Sequence, residues 1–280
     1  MKVSSVVTGY FKLDGGAMFG VVPKSIWSKK YPADENNMCT WVMRSLLIEW
    51  GDRKMLVDTG IGTKQSDKWQ SFFYPSGGDV ISNLNEHFIS PEEITDVFIT
   101  HLHFDHVGGA LYKDVKGNTQ LSFPNARYWI CDKHFQWAME PNPREKPSFL
   151  KENFTPLLEI DVVNWLPYER DGYAFDKDID IFFSNGHTEA LMGLSIDTQE
   201  KKLFFPSDLL PSHCHLGSSY VMAYDVRPLI SMEEKENFLE QVYSQNGVII
   251  FEHDYLIEAC TITKSDLGVF SVNEACISDC

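Results

Sequence analysis

Thr100-His101-Leu102-His103-Phe104-Asp105-His106-Val107-Gly108-Gly109 is the stretch on which the reading turns. Four of the six residues from 101 to 106 are metal-ligand types, and three of the chain's nine histidines fall among them. In an extended segment, residues 101, 103 and 105 project to one side. A turn at Phe104 and Asp105 then brings His106 to the same place. Imidazoles suit zinc at about 2.0–2.1 Å, and a carboxylate can join them. The apolar run Asp96-Val97-Phe98-Ile99-Thr100 just before it reads as a buried strand, so the histidines stand at a strand end.

One loop cannot close a metal site. Moving outward, ligand-type residues stand just past other short apolar runs. Gly186-His187-Thr188 follows the strand Asp180–Ser184. Ser207-Asp208 follows Lys202–Pro206, and Glu252-His253-Asp254 follows Gly247–Phe251. Earlier in the chain, Val3–Leu13 reads as a strand, and Trp41–Trp50 and Lys54–Val57 read as a pair around the turn Gly51-Asp52-Arg53. Ser90-Pro91-Glu92-Glu93 is a capping box with Pro at the first helical position, opening a short helix. Ala126–Cys131 reads as a strand, and Asp132–Glu140 and Glu233–Ser244 as helices. Residues 20–40 read as a long loop, within an arm spanning 14–41. Strands alternating with helices, and no linker, predict one mixed α/β domain over residues 1–280.

Composition narrows the function classes. At 280 residues, 43% hydrophobic and 23% charged, the chain is an ordinary globular protein. No apolar run approaches the roughly 18 residues a membrane span needs. The start carries no apolar stretch of signal-peptide type, and a cytoplasmic location is the expectation. A net charge of −16 disfavours a nucleic-acid partner. The six cysteines form no CxxC pair and are expected as thiols in a reducing compartment, with Cys276 and Cys280 the exposed, oxidisable ones.

Taken together, Met55-Leu56-Val57-Asp58-Thr59-Gly60, His101-Leu102-His103-Phe104-Asp105-His106, Gly186-His187-Thr188, Ser207-Asp208 and Phe251-Glu252-His253 resemble the metallo-β-lactamase superfamily, in its metallohydrolase branch. The motifs occur in family order and span residues 55–253. The resemblance implies a four-layer αβ/βα sandwich, two mixed β-sheets face to face with helices outside and metals at one edge. It implies that His101, His103 and His187 hold a first metal and Asp105, His106 and His253 a second, with Asp208 bridging. Asp58 would orient a ligand histidine by accepting its other N–H. The cofactors implied are two Zn2+, with Mn, Fe or Co as other fitting ions. The chemistry implied is attack by a bridging hydroxide on a small ester, lactone or phosphoester, with Asp105 and Asp208 as the catalytic carboxylates.

Departures place the chain within the superfamily. β-Lactamases of the commonest dizinc subclass carry Cys where Asp208 stands. Redox diiron members lack His103 and His106, so both histidines favour hydrolysis. The segments Ser207–His215 and Val221–Asp225 resemble the N-acyl homoserine lactonases and methyl parathion hydrolase. Lactonases of the best-known type have Tyr three positions after the bridging Asp, where this chain has Pro211. Tyr220, Tyr224, His213 and His215 are candidates to line the pocket instead. A mononuclear iron enzyme of sulfur-dioxygenase type and a nucleic-acid-processing nuclease of the same superfamily are the rival readings. The arm, with Met18, Phe19, Ile26 and Trp27, is expected to cover the pocket for a small-molecule substrate, and a homodimer would let it cover a partner's. The cluster Trp69, Phe72, Phe73 and Tyr74 reads as packing or a pocket mouth. His87 and His134 read as lone helix histidines with surface or packing roles.

Overall fold

The computed structural model describes residues 1–275 and residue 277; Cys276 and Cys280 lie outside the described residues. The chain divides into two compact units. Met1–Phe11 and Val42–Pro167 form the first, and Lys12–Trp41 with the residues from Tyr168 onward form the second. Among the described residues no helix is long and apolar enough to cross a membrane. Cys39, Cys131, Cys214 and Cys260 are buried free thiols.

The first unit holds most of β1 (Lys2–Asp14) and β2 (Met38–Trp50), whose residues 12–14 and 38–41 count with the second, and all of β3 (Arg53–Val57), β4 (Asp96–Phe98), β5 (Leu111–Lys113), β6 (Thr119–Leu121), β7 (Arg127–Cys131) and β8 (Val163–Leu166). Six of them form one sheet in the order β1-β2-β3-β4-β7-β8, and β5 and β6 make a separate hairpin. β2 and β3 are antiparallel around the expected turn, where Gly51 sits at φ 55°. From β3 onward the pairs β3–β4, β4–β7 and β7–β8 are parallel. Val57 pairs with Phe98, and Phe98 with Trp129, so these strands end at one sheet edge. Loops beyond the carboxyl ends of parallel strands are where such sheets carry their sites. Asp58 and the histidine loop both start there. Leu56, Val97, Ile99, Val107, Tyr128 and Ile130 lie in the core beneath.

Three local readings change. The capping box at Ser90 is formed, but it opens a single 3-10 turn, Pro91–Glu93, because Ile94 and Asp96 must return to the core and sheet. Phe104–Val107 is a helical turn entered from extended His103 at ψ 154°, so the side-by-side projection expected for 101, 103 and 105 stops at 103. The helix expected around His87 spans Val80–Glu86, capped by Asp79 and Ser82, so that His87 stands just past its end.

The second unit's strands are β9 (Tyr173–Asp176), β10 (Ile179–Ser184), β11 (Leu191–Asp197), β12 (Lys202–Phe205), β13 (Val248–Ile250), β14 (Ala259–Lys264) and β15 (Phe270–Ala275), in the order β15-β14-β13-β12-β11-β10-β9. β10–β11 and β11–β12 are antiparallel, and β12–β13 is parallel. β10, β12 and β13 therefore run the same way, and their ends deliver His187, Asp208 and His253 to one edge. The helix Pro228–Ser244 packs Phe238, Leu239 and Val242 with Phe204 and Ile249.

The 14–41 arm belongs to this unit and is more ordered than a long loop. Asp14 caps the helix Gly15–Phe19 by accepting from the Ala17 amide at 3.0 Å, and a second helix spans Lys24–Trp27. Met18, Phe19, Trp27 and Tyr31 are buried within the unit, while Ile26 is about half exposed. Phe19 stacks on Trp27 at 4.9 Å and on His215 at 5.1 Å, and Tyr31 stacks on Trp41 at 4.3 Å.

Candidate metal centre

In the first unit, Asp58 is the hub. It sits at φ 59°, a left-handed conformation rare outside glycine, which turns the chain at the end of β3. Its Oδ1 accepts the Thr100 amide at 2.8 Å, and its Oδ2 accepts the Thr100 hydroxyl at 2.6 Å and faces His106 Nδ1 at 3.0 Å. The role expected for Asp58 thus has its geometry, on His106. The Thr59 amide donates to the His106 carbonyl at 2.7 Å. The two loops approach so closely that a Cβ on Gly108 would lie 2.1 Å from the Ile61 carbonyl oxygen, and one on Gly109 2.1 Å from that of Thr59. This explains the Gly-Gly after the histidines.

The partners fix the tautomers. A carboxylate only accepts, so His106 Nδ1 carries its proton towards Asp58 and Nε2 presents a lone pair. Thr100 gives its hydroxyl proton to Asp58, so its oxygen accepts from His101 Nδ1 at 3.1 Å. His101 Nε2 is then a lone pair, 3.1 Å from His103 Nδ1. His103 Nε2 points to buried Glu145, 3.7 Å away. Glu145 is itself held by Trp137 Nε1 at 2.8 Å and Asn142 Nδ2 at 2.6 Å. Asp105 Oδ2 lies 3.7 Å from His106 Nε2.

His134 has more than a packing role. It is buried, and its Nε2 accepts the Leu102 amide at 2.8 Å, pinning the loop between the two histidines. His87 is exposed, as expected of a surface residue. Trp69 and Phe73 pack on Phe104 at 5.0 and 4.6 Å, so half of that aromatic cluster supports the histidine turn, while Phe72 and Tyr74 remain more than half exposed.

In the second unit, Asp208 stands between two imidazoles. Its Oδ2 is 3.2 Å from His187 Nε2 and its Oδ1 is 3.0 Å from His253 Nε2. His187 Nδ1 faces Asp225 Oδ1 at 2.9 Å, which leaves the Nε2 lone pair pointing at a carboxylate. Two acceptors 3.2 Å apart repel unless a cation lies between them. Both imidazoles and the carboxylate are nearly fully buried. This arrangement suits a divalent metal, as does the lone-pair array in the first unit.

The supports are again remote in sequence. Glu234 accepts the amides of Asn185 and Gly186 at 2.8 and 2.9 Å, and Arg227 reaches the Asn185 carbonyl and Glu189, each at 2.6 Å. Burial is the main influence on the Glu234 carboxyl and raises its pKa. Ser207, at φ 49°, donates to Glu252 at 2.8 Å. Glu252, Asp208 and His253 offer ligand atoms within 4.8 Å of one another, so Glu252 joins the candidates. The His253 amide donates to the Pro211 carbonyl at 3.1 Å. Asp254 accepts the His213 amide at 2.7 Å and faces its Nδ1 at 2.5 Å. His213 therefore clamps a loop. His215 is also engaged on both nitrogens, with Ser212 Oγ at 2.7 Å and the Met18 carbonyl at 2.9 Å. Burial pushes its pKa down to about 4. It is a neutral pin between the arm and Ser212. Tyr224 is half-buried, beside Asp225 in the chain.

The family model for the Metallo-beta-lactamase superfamily matches residues 44–253, three quarters of the chain, and the chain belongs to that superfamily. It is an enzyme, a metal-dependent hydrolase of this superfamily, with the fold its motifs predict. A probable metal-dependent hydrolase from Staphylococcus aureus superposes with a TM-score of 0.85 at 29% identity, covering 98% of this chain and 96% of that one. The hydrolase AbOPH, described as in the beta lactamase superfamily, gives 0.80 at 18%, covering 98% and 94%. AidC, a dizinc quorum-quenching lactonase solved with a product bound, gives 0.77 at 19%, covering 98% and 94%. The last two show the shared fold. No curated protein matches the chain by sequence.

Proposed function

We propose that the chain is a dinuclear metal-dependent hydrolase of a small ester, lactone or phosphoester. The observation that carries this is Asp208, with one carboxylate oxygen on each of two buried imidazoles, one of them presenting a lone pair. A carboxylate shared in this way suits a bridge between two cations. In this reading His101, His103 and His187 hold one ion and Asp105, His106 and His253 the other. Bound divalent cations would supply Lewis acidity and bring the pKa of a water close to neutral. Zinc is the first ion to test, since nitrogen and oxygen ligands of this kind suit it.

The chain's own residues do the arranging. Asp58, Asp225 and Glu145 aim the imidazoles, and in this reading Asp105 and Asp208 would be the catalytic carboxylates. No serine or cysteine nucleophile is needed, and Cys214, its pKa pushed up to about 12 by burial, is ill suited to be one. Lactones head the substrate panel because AidC is a lactonase. Elemental analysis of protein grown with ample zinc, followed by assay on lactones, aryl esters and phosphoesters, tests the reading. Two zinc ions per chain with turnover on one class is the expected result. One iron per chain with no hydrolysis would overturn it in favour of the sulfur-dioxygenase-type alternative.

A further inference from the structure

The metal reading leaves a buried lysine without a part. Lys235 lies in the middle of the helix Pro228–Ser244 and is only 2% exposed. Burying an ammonium is costly unless its protons find acceptors. Its Nζ donates to the Gly217 and Tyr220 carbonyls, each at 2.8 Å. Both belong to the strap 217–227, which the Ser218 hydroxyl also ties to the same helix by donating to Glu236 at 2.6 Å, and which is held away from that helix at three further places. On the arm side, the Ala223 amide donates to the Ala17 carbonyl at 2.7 Å. Gly20, at φ 55°, passes so close that a Cβ there would sit 2.3 Å from the Val221 oxygen. At its far end, the Val226 and Arg227 amides donate to the His187 and Gly186 carbonyls at 3.2 and 2.9 Å. Between these anchors lies Asp225, on His187 Nδ1.

The strap therefore joins the arm to a candidate metal ligand. Its Tyr220 is partly exposed, with Lys30 5.0 Å over its ring and Phe19 edge-on at 6.3 Å. Tyr220, Asp208, Asp225, Ser231 and Lys235 all line a cavity of about 10 Å³. That is room for one water at most. No substrate reaches the Lys235 amine, so the lysine cannot act on one directly. It can act only through the strap it holds.

Resting on the hydrolase reading above, we infer that Lys235 is a positioning residue that sets substrate fit, by holding the strap so that the partly exposed ring of Tyr220 forms a fixed wall. Among the described residues Lys235 is the side chain that holds these two carbonyls, and a methionine in its place keeps the volume while removing both bonds.

Lys235→Met, compared with the wild type, tests this by three readouts. Amide hydrogen exchange over 217–225, measured on metal-free and zinc-loaded protein, should speed up roughly tenfold in the variant. KM should rise roughly tenfold with kcat within about threefold, because the reacting groups are untouched. Zinc content should stay at the wild-type value. Unchanged exchange, or faster exchange with an unchanged KM, would overturn the inference. A fall in kcat alone would do so too. If Lys235→Met does not fold, Tyr220→Ala removes the wall and leaves the lysine: KM should rise with exchange elsewhere in the strap unchanged, and an unaltered KM would refute the wall. A wild type that binds zinc yet hydrolyses nothing on the panel would sink the hydrolase reading separately, and the exchange comparison would still decide whether Lys235 holds the strap.

Discussion

Acid should loosen the second unit through His215, and the effect can be isolated. This imidazole is fully buried, stacks on Phe19, and has a carbonyl acceptor at Nε2 and a hydroxyl at Nδ1. Its folded pKa of about 4 lies below the ordinary 6.5. Above pH 6.5 both folded and unfolded forms are neutral there, and the group adds no pH dependence. As the pH falls from 6.5 towards 4, the unfolded chain takes up a proton that the folded chain refuses, so stability is lost across that window and levels off below it. Full titration amounts to about 3 kcal/mol, and about 2.5 kcal/mol of that is gone by pH 4.5. His215→Gln keeps a donor for the Met18 carbonyl but cannot titrate. At pH 7.5 it should be less stable than the wild type by about 1–3 kcal/mol, from lost stacking and the Ser212 bond. At pH 4.5 that deficit should shrink by about 2.5 kcal/mol and come close to vanishing or change sign. Urea unfolding of both proteins in chelator, at the two pH values, measures the difference directly, since every other histidine is common to both. A deficit that stays the same within about 0.5 kcal/mol would show that His215 is not held neutral, and the account of it as a pin would fail.

Asp208→Asn should lower the metal content and abolish turnover while leaving the circular dichroism spectrum of the wild type; retained activity would remove Asp208 from the site. Asp225→Ala and Glu145→Ala should each weaken zinc binding by about 10–100-fold, read by competition with a chromophoric chelator, because each leaves an imidazole without its orienting carboxylate. Gly109→Ala should cost about 1–3 kcal/mol from overpacking, and more if the Thr59 loop cannot shift, whereas Gly51→Ala, with open space around its Cβ, should cost only about 1 kcal/mol; equal melting temperatures for the two variants would contradict the close approach described for Gly109.

The ligand-type residues were legible because their chemistry is local. Three histidines and an aspartate within six positions need no partner to be noticed, and Gly60, Gly108 and Gly109 mark the tight turns beside them. The residues that aim the ligands were not, because each is an ordinary residue made significant by a distant contact. His134 meets Leu102 across 32 positions, and Asp225 meets His187 across 38. Nothing in a lone helix histidine or a loop aspartate announces such a bond. Lys235 stands in the sequence as one charge among Glu233, Glu234 and Glu236, with nothing local to mark it as buried. The second unit makes the point at the level of topology. That His187, Asp208 and His253 each follow a short apolar run could be read from the chain, and that they meet was the expectation, but the strand pairing that makes the three runs end together could not. This depends on β11 lying antiparallel between β10 and β12, and on β13 joining β12 in parallel after the long helix. Reverse any one of those pairings and one ligand would move to the opposite edge of the sheet. The candidate metal-binding set is thus a consequence of strand direction as much as of residue type.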